Sequence, residues 1–476
     1  MGRRRLRALF YGLIFCGVTF YCCFLGFLLV KIRELKHKNT ATSFDFIDTT
    51  KETWRHRGVT SNNHGCNKVS NNPYGLLNLF TTISLKPLWQ NVSFCDKTYV
   101  FSAFYHSEDL ISIITTTTRK SLLDRNVQYQ CRFFYELSPN ALNTCNETII
   151  KRKAMPENRG KRYSAAFYTC PLPKSTRPYA VSLSTDHCKS PSNILPIVYP
   201  QQQQRQFTVC VSPLNYRYSK AYELVEMIEF NRILGADYFV FYNYSTDSNV
   251  DRVLEYYKEQ GLVEVLKWNL PMKVDTWPKK KEPVEIHYFA QLAALNDCLY
   301  RNMYLSKYVV FQDLDEFIIP KKHLTWSDMM EGLPKGSGAY IFRCFFFRKE
   351  WPDTTKNFEG KDKAQKYKMN TLLKQKRESK VLGKSHRSKY IVDPKQIDTV
   401  GIHNIWRYRS GTKAHFVDPE FARMHHYRDW LNPNDANTGV EDNRTMVYRN
   451  ELLQNTVHAW EMLKDVPLGP ISHTAS

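Results

Sequence analysis

The stretch Tyr308–Pro320, YVVFQDLDEFIIP, places three carboxylates at the end of a buried strand. Apolar residues fill the run before the acids and return directly after them, which predicts a strand that emerges at one point. The acids are Asp313, Asp315 and Glu316. Because charges removed from water need a partner, three neighbouring acids require something positive beside them. A hard divalent cation is the obvious candidate.

The sequence around this stretch alternates strands with helices. FTVCVSPL, DYFVFYNYS and VEVLKW are typical of strands, and apolar residues at helical spacing lie between them, as at Val250, Val253, Leu254 and Tyr257. Such alternation predicts an α/β fold with a mainly parallel sheet covered by helices. Ligands of these sheets bind at the carboxyl ends of the strands, where the acids fall.

The spacing of the first two acids suits a shared metal ion. In an extended turn, Asp313 and Asp315 point to one side while Leu314 points back into the protein. Mn²⁺ or Mg²⁺ held between the two carboxylates would bind the diphosphate of a sugar donor and take up charge as UDP leaves. The pattern therefore predicts a nucleotide-sugar site.

Three other interpretations of the acids compete with this one. A solvated strand end remains the simplest alternative. A calcium loop of the EF-hand type is excluded, because the sixth position from Asp313 is Ile318 instead of Gly and the twelfth is Leu324 instead of Glu. A phosphatase with an aspartyl nucleophile usually carries a small hydroxylated residue or valine where this chain has Phe317.

The start of the chain predicts a membrane anchor. Residues 8–30 carry no charge, and about 20 apolar residues suffice to cross a bilayer. Arginines precede this span, which favours a cytosolic N-terminus and a luminal remainder. A cleaved signal peptide is the alternative, but its apolar region is shorter and ends in a small-residue cleavage site, which is missing here.

Sequons and cysteines agree with a luminal location. Acceptor sequons occur at Asn91, Asn146, Asn243 and Asn443. Of the 12 cysteines, three fall in the predicted span, which leaves nine beyond it. An oxidising lumen favours disulfides among them, and the odd number leaves at least one without an intramolecular partner.

The chain is strongly basic, with a formal net charge of +21. A luminal chain does not meet nucleic acid, so we expect no nucleic-acid partner and assign the surplus to phosphates, acidic glycans or lipid headgroups. The densest basic run is Lys361–Lys389, in which Lys384 is a candidate contact of the donor phosphates. A solvated loop is the alternative for this run.

Composition divides the chain into six parts. Polar residues without periodicity fill the first luminal segment, short β-prone runs follow, and the Gln-rich PQQQQRQ precedes the alternating part. The predicted parts are a cytosolic tail (1–7), a transmembrane anchor (8–30), a luminal stem (31–90), a β-rich sandwich-like module (91–200), the α/β catalytic domain (207–440) and a C-terminal extension (441–476).

Several ordered motifs resemble glycosyltransferase family 92. They are CVSPL, LVEMIEFNRILGADYFVFYNYS, GLVEVLKWNLP, FAQLAALNDCLYRN and YVVFQDLDEFIIP, followed by GIHN and MHHYR, within about residues 207–430. The anchored architecture also resembles vertebrate-type members. The resemblance implies a GT-A-like fold, Mn²⁺ dependence, and inverting β-1,4 transfer of galactose from UDP-galactose to an N-glycan or related glycoprotein acceptor. We expect a single-pass type II protein of the Golgi membrane, and the sequence leaves homodimerisation open.

The resemblance assigns the metal site to Asp313 and Asp315, with Glu316 supporting the turn. A third ligand should come from downstream, because two aspartates leave an octahedral ion incomplete even with two phosphate oxygens. The candidates are His426 in the HHY cluster, its neighbour His425, and His403 in GIHN. A structural role is the alternative for each histidine.

Donor contacts are expected from residues that end strands or begin the AQLAALNDCL helix. Pro213 and Tyr242 end the first two strands, where uridine lies in this fold, although Tyr242 suits the core equally. Gln291 and Asp297 match the family pattern in the helix, and for them donor contact and a structural role both stay open.

Inverting transfer also needs a general base within reach of the acceptor hydroxyl. In FRCFFFRKEWPDTT, Glu350 and Asp353 are the nearest carboxylates after the acidic strand end, with a plain surface role as the alternative. Trp351 beside them is a candidate to stack on the acceptor sugar.

Two other classes of function stay open at this point. A lectin-like protein that kept the fold would bind glycans without turnover, and a luminal phosphatase or hydrolase would release its product to water. Among acceptors, a terminal β-galactose on N-glycans is expected first and a core fucose second.

Overall fold

The computed structural model describes residues 87–92, 97–106, 109–124, 127–135, 150–173, 177–185, 191–276, 281–409, 411–429 and 438–471. The predicted tail, membrane anchor and nearly all of the predicted stem lie outside these residues, as does the Asn146 sequon. No helix within the described ranges is long and apolar enough to span a bilayer. Contacts group residues 68–476 into one compact unit.

The described residues of the β-rich part form eight strands and one short helix. These are β1 (Gln90–Asn91), β2 (Thr98–His106), β3 (Leu110–Thr118), α1 (Arg119–Leu123), β4 (Gln130–Phe134), β5 (Lys151–Ala154), β6 (Tyr163–Pro171), β7 (Ala180–Ser184) and β8 (Leu195–Val198). They form one sheet in the order β4-β7-β8-β2-β3-β6-β5, with β1 beside β2. A disulfide joins Cys131 of β4 to Cys170 of β6, which are distant in this order. The sheet therefore bends over itself, and the predicted β-rich module is a single folded sheet.

The rest of the chain alternates strands with helices over residues 205–312, as predicted, and continues with further strands and mostly short helices. Its strands are β9 (Arg205–Val211), β10 (Tyr238–Asn243), β11 (Val263–Lys267), β12 (Ser306–Gln312), β13 (Glu316–Pro320), β14 (Ala339–Phe342), β15 (Cys344–Arg348), β16 (Lys376–Glu378), β17 (Lys389–Val392), β18 (Ile397–Val400), β19 (Ile405–Tyr408), β20 (Ala414–Phe416), β21 (Ala422–Arg428) and β22 (Gly439–Glu441). Its α-helices are α2 (Ala221–Leu234), α3 (Ser248–Glu259), α4 (Gln291–Asn302), α5 (Trp326–Glu331), α6 (Lys361–Lys366), α7 (Asn370–Leu373) and α8 (Arg449–Met462). Short 3₁₀ turns span His287–Ala290, Pro394–Gln396 and Arg444–Tyr448.

The central sheet has seven strands in the order β11-β10-β9-β12-β17-β14-β20. The four strands β11, β10, β9 and β12 run parallel, whereas β17 runs antiparallel to both β12 and β14. A three-stranded sheet, β13-β21-β15, lies beyond the end of β12. The fold is therefore mixed α/β, and the prediction of a mainly parallel sheet holds for one half of it.

The helices take their positions from simple sequence signals. In α3, the predicted apolar face at Val250, Val253, Leu254 and Tyr257 is buried, and Asp247 caps the first turn. Helix α2 ends at Gly235, whose φ of 115° closes the last turn in the left-handed region that favours glycine. These two helices cover one face of the parallel strands.

Strand β12 is buried on both faces, as its unbroken apolar run predicts. Val310 faces the cluster formed with α2, α3 and α8. Val309 and Phe311 face a second cluster, which joins α4 to Phe104 and other residues of the β-rich sheet. A disulfide between Cys210 and Cys298 also ties β9 to α4. The β-rich sheet thus packs directly on the α/β part.

A buried carboxylate on α2 holds the start of α7, and its removal should weaken the fold. Glu226 is 2% exposed and accepts the backbone N–H of Asn370 at 3.1 Å and of Thr371 at 2.8 Å. Since Glu226→Ala would leave these donors buried without partners, we expect a loss of about 2–3 kcal/mol in unfolding free energy, measured by denaturant unfolding.

The control for this prediction is an exposed glutamate on the neighbouring helix. Glu255 pairs with Lys258 at 2.7 Å, but its side chain is 56% exposed. Glu255→Ala should change stability by less than about 0.5 kcal/mol. Equal losses for the two variants would contradict the role of Glu226.

Candidate active site

The acids lie at an edge where three strands meet. Strands β9 and β12 are parallel neighbours, so Ser212 and Asp313 follow them at the same edge. Strand β17 runs antiparallel along β12 and brings its first residue, Lys389, to this edge. The site is therefore assembled from three distant parts of the chain.

Both carboxylate oxygens of Asp313 have partners. Oδ1 accepts the hydroxyl of Ser212, and Oδ2 lies 2.8 Å from Nζ of Lys389. The amide of Gln291 donates to Ser212 Oγ at 2.6 Å, which extends the chain of contacts to the start of α4. Burial opposes ionisation of Asp313, but Lys389 and Ser212 hold its pKa below the ordinary value.

Asp315 and Glu316 flank one histidine. Strands β13 and β21 pair so that Glu316 lies opposite His426. His426 Nε2 is 3.5 Å from Asp315 Oδ2, and its Nδ1 is 3.1 Å from Glu316 Oε1. The backbone N–H of Tyr427 donates to the carbonyl of Asp315 at 2.8 Å and fixes the turn. His426 thus bridges two of the three acids.

Two cations of the chain itself compensate the three acids. Burial alone would lower the pKa of His426, but Asp315 and Glu316 raise it well above the ordinary value, so the ring is an imidazolium in this arrangement. Burial opposes ionisation of Asp315, yet His426 holds the pKa of that carboxyl below its usual range. Lys389 also lies 3.2 Å from Glu316. Lys389 and His426 are therefore the cations that contact the acids directly among the described residues.

A bound metal ion would replace the proton on His426 Nε2, after which Nε2 and Asp315 Oδ2 are both donor atoms that fit such an ion. Within the described ranges, no group of three or more His, Cys, Asp or Glu residues is arranged to hold one. The 3.5 Å between Asp315 Oδ2 and His426 Nε2 nevertheless allows both atoms to reach one ion at about 2.1 Å. Asp313 lies at the same edge, where Lys389 and Ser212 contact its two oxygens. The metal pair Asp313 and Asp315 therefore stays a prediction, and His426 is the histidine candidate that lies within reach of Asp315.

The two other histidines are placed differently. Burial, and then the charge of Lys389, lower the pKa of His403 to about 4, so His403 is neutral and lies on the Lys389 side of the site. His425 points away into the core against Phe347, with ring centroids 4.4 Å apart, and burial lowers its pKa to about 4. Neither contacts Asp315 through an interaction seen among the described residues.

Two predicted donor contacts are corrected by the structure. Tyr242 and Asp297 are both 0% exposed, and the Tyr242 hydroxyl donates to Asp297 Oδ2 at 2.6 Å. Asp297 also accepts from Ser102 of the β-rich sheet and from Arg301. A buried carboxylate needs several donors around it, and Asp297 receives them from both the β-rich sheet and the α/β part. Asp297 and its partners therefore join the two parts of the fold. Their role is structural.

The remaining predicted donor residues divide into two groups. Gln291 reaches the site through Ser212, and Pro213 follows Ser212 directly, with its carbonyl accepting from Asn215 at 2.9 Å. Lys384 is exposed and lies over the ring of Phe416, 5.2 Å from its centroid. Contact between Lys384 and a donor therefore stays a prediction.

The predicted general bases, Glu350 and Asp353, pair with basic residues outside the cluster of acids. Asp353 forms an ion pair with Lys374 at 2.8 Å and is 36% exposed. Glu350 is 44% exposed and lies 4.0 Å from Arg348. Trp351 stacks with Arg348, whose guanidinium lies 5.2 Å from its ring centroid. These pairings favour the surface role that the sequence left open.

A strained segment beside the acids was not predicted. Tyr288, Phe289 and Ala290 have φ of 36°, 53° and 56°, in the left-handed region that non-glycine residues rarely adopt. Partial burial, and then the charge of Asp313, raise the pKa of Tyr288. Its side chain is nevertheless 46% exposed. Such strain persists where the surroundings hold it, and it concentrates at ligand sites.

Comparison with known proteins identifies the family. Residues 205–465 match the sequence model of glycosyltransferase family 92, which is more than half of the chain, so the chain belongs to this family. A β-1,4-galactosyltransferase, galt-1, of Caenorhabditis elegans is 25% identical over 237 residues, covering 49% of this chain and 50% of the relative. A second family 92 protein of C. elegans is 23% identical, covering 52% of this chain and 46% of that protein. The chain spans about half the length of these curated relatives.

Solved structures resemble the chain only distantly. A glucosyl-3-phosphoglycerate synthase of Mycobacterium tuberculosis, in complex with Mn²⁺, UDP-glucose and phosphoglyceric acid, has a TM-score of 0.25 and 13% identity, covering 53% of this chain and 80% of that one. A 4-diphosphocytidyl-2C-methyl-D-erythritol synthase also has a TM-score of 0.25, with 9% identity, and covers 53% of this chain and 100% of that one.

Proposed function

We propose that this chain is a metal-dependent galactosyltransferase that moves galactose from UDP-galactose to a terminal sugar of N-glycans, with inversion and a β-1,4 linkage. The observation that carries the proposal is the cluster of Asp315, His426 and Asp313 at the carboxyl ends of parallel strands, in a chain of family 92. The name of the C. elegans relative supports the sugar and linkage. The acceptor is a terminal β-galactose, with core fucose as the second choice.

Some residues of the site would hold a metal ion, and others shape the donor site. Asp315 and His426 would hold Mn²⁺ or Mg²⁺, which when bound neutralises charge on the diphosphate leaving group. His426 keeps its orientation through Glu316, which lies 3.1 Å from the second ring nitrogen. Asp313 is fixed by Ser212 and Lys389, so this edge of the site is rigid before the donor arrives.

The compartment proposed is the Golgi lumen, with a single-pass type II anchor. The disulfides Cys131–Cys170 and Cys210–Cys298 accord with an oxidising compartment. Of the three sequons whose asparagine is described, Asn443 is exposed, Asn91 is half-buried in β1, and Asn243 donates its side-chain amide to Thr246 at 2.6 Å. Asn443 is therefore better suited to carry a glycan.

The experiment for this function is a donor and acceptor panel. Purified full-length protein is incubated with Mn²⁺, a series of UDP-sugars and glycans that end in β-galactose, N-acetylglucosamine or core fucose. We expect UDP-galactose to be the preferred donor and the product to carry a new β-1,4-linked galactose, identified by NMR. An α-linked product, or preference for another UDP-sugar, would overturn the assignment.

Tyr288 is expected to stack on the uracil ring of the donor. Its ring is exposed beside the acids, and stacking of a base on an aromatic side chain is worth about 1–3 kcal/mol. Tyr288→Ala should therefore raise the donor KM about tenfold, measured by initial rates, with a smaller effect on kcat. Tyr288→Phe keeps the ring and should stay near the wild-type value. A donor KM unchanged in Tyr288→Ala would reject this contact.

A further inference from the structure

A further buried carboxylate, Glu223, lies in the first turn of α2. The hydroxyl of Tyr218 donates to Glu223 Oε2 at 2.8 Å, and the ammonium of Lys349 donates to Oε1. The three side chains are largely enclosed, with Glu223 7% exposed. The carboxylate is therefore held in one orientation by a donor on each oxygen.

The sheet β13-β21-β15 brings this group of side chains to the reaction centre. Lys349 directly follows β15, and its backbone N–H donates to the carbonyl of Arg428 at the end of β21 at 3.1 Å. The same strand, β21, carries His426. Burial opposes the charge of Lys349, but Glu223 and then Asp315 raise its pKa above the ordinary value. Lys349 thus lies within electrostatic reach of both Glu223 and Asp315.

Tyr218 lies beside the residues that follow β10. It precedes α2, and its backbone N–H donates to the carbonyl of Ser245 at 3.1 Å, at the end of β10. Burial raises the pKa of Tyr218 well above its ordinary value, and the negative charges of Glu223 and Asp315 raise it further. Tyr218 therefore ties Glu223 to the carboxyl end of β10, at the same edge of the parallel strands as the acids.

Glu223 has a cationic partner too, Lys349, but the other carboxylates near the centre are assigned to different tasks. Asp313 and Glu316 contact Lys389, and Asp315 contacts His426. Asp353 is paired with Lys374. Each oxygen of an ionised carboxylate has about two lone-pair sites, so Glu223 retains acceptor capacity after its bonds to Tyr218 and Lys349.

We infer that Glu223 is the general base of the transfer reaction, with Lys349 and Tyr218 as positioning residues. This assignment rests on the proposed function. The acceptor hydroxyl gives its proton to Glu223 as its oxygen forms the bond to the anomeric carbon of the donor sugar. The bond from that carbon to the diphosphate oxygen breaks, and the electron pair leaves with UDP. Glu223 later returns the proton to solvent.

The test compares identical substitutions at two buried glutamates of the same helix. Glu229 also accepts from a tyrosine, Tyr257 at 2.7 Å, and from a cation, Arg232 at 2.8 Å, but it has no contact with the acids among the described residues. Glu229→Gln should therefore reproduce the structural cost of such a change without altering kcat.

For Glu223→Gln in the full-length protein, we expect kcat to fall by about a hundredfold or more, as is usual when a general base is removed. The donor KM should change less than about threefold, because ground-state binding is untouched. The melting temperature should stay within the change seen for Glu229→Gln. Glu223→Asp keeps a carboxylate and should recover part of the lost rate.

Three outcomes would overturn the inference. Wild-type-like kcat in Glu223→Gln would remove Glu223 from the reaction while leaving the proposed function intact. A rise in donor KM that accounts for the whole loss, or a loss matched by Glu229→Gln, would make the role of Glu223 structural. Absence of transfer by the wild-type protein with every UDP-sugar would overturn the proposed function itself and the base assignment with it.

Discussion

Replacing Asp315 with asparagine should lower sugar transfer by at least about a hundredfold, while the protein folds normally. Asp315 supplies the carboxylate oxygen that lies 3.5 Å from His426 Nε2, and the pair is the best-placed set of metal ligands at the strand edge. An amide keeps the shape of the side chain but loses its charge, so the affinity for Mn²⁺ should fall together with the rate. Initial rates and direct Mn²⁺ titration measure the two effects.

An exposed aspartate gives the matched control for this variant. Asp362 lies on the surface in α6, so Asp362→Asn should keep both the rate and the Mn²⁺ affinity. Asp315→Asn with more than a third of the wild-type rate, or with unchanged Mn²⁺ affinity, would mean that the metal is held elsewhere.

Replacing Lys389 with methionine should produce the largest loss of stability among single changes at the site. Lys389 is 2% exposed and is the shared partner of Asp313 at 2.8 Å and Glu316 at 3.2 Å. Removing one member of a buried ion pair leaves the other charge uncompensated, which costs about 3–5 kcal/mol. We therefore expect a marked fall in melting temperature, measured calorimetrically, and loss of transfer activity.

Two further variants separate this effect from a general loss of positive charge. Lys380 is exposed in the same basic run, so Lys380→Met should leave stability unchanged within about 0.5 kcal/mol. Adding Glu316→Gln to Lys389→Met removes one uncompensated charge and should recover part of the stability. A Lys389→Met protein as stable as the wild type would contradict the buried network.

The parallel half of the fold follows from local patterns in the sequence. The apolar runs of β9, β10 and β12 and the helical spacing of Val250, Val253, Leu254 and Tyr257 each fit within one element. Rules of strand connection then place the acids at the carboxyl ends of the strands. For these elements, local pattern and tertiary structure agree.

The partners of the acids depend on pairings between distant strands, which no local pattern encodes. Lys389 and Asp313 are 76 residues apart in sequence. They meet because β17 pairs antiparallel with β12. In the sequence, Lys389 is only the last lysine of a basic run. His426 was a candidate because of the HHY cluster, but its register opposite Glu316 belongs to the pairing of β13 with β21.

Polar residues at strand and helix positions were the main source of error. Tyr242 lies at a strand end, where a ligand contact is a reasonable expectation, but its hydroxyl is satisfied inside the core by Asp297. Asp297 in turn depends on Arg301 and on Ser102, which belongs to a different sheet. Because buried polar groups are decided by which donors meet in three dimensions, the sequence cannot distinguish them from ligand contacts.

The proposed function is tested most directly by the rate at which purified full-length protein releases UDP from UDP-galactose. The rate is measured with and without a galactose-terminated acceptor, in Mn²⁺ and in EDTA. If the protein is a metal-dependent galactosyltransferase, UDP release should require Mn²⁺ and be accelerated strongly by the acceptor. The amount of UDP released should match the amount of galactose transferred. UDP release that is equal in EDTA, or that yields free galactose at the same rate without acceptor, would contradict metal-dependent transfer at this site.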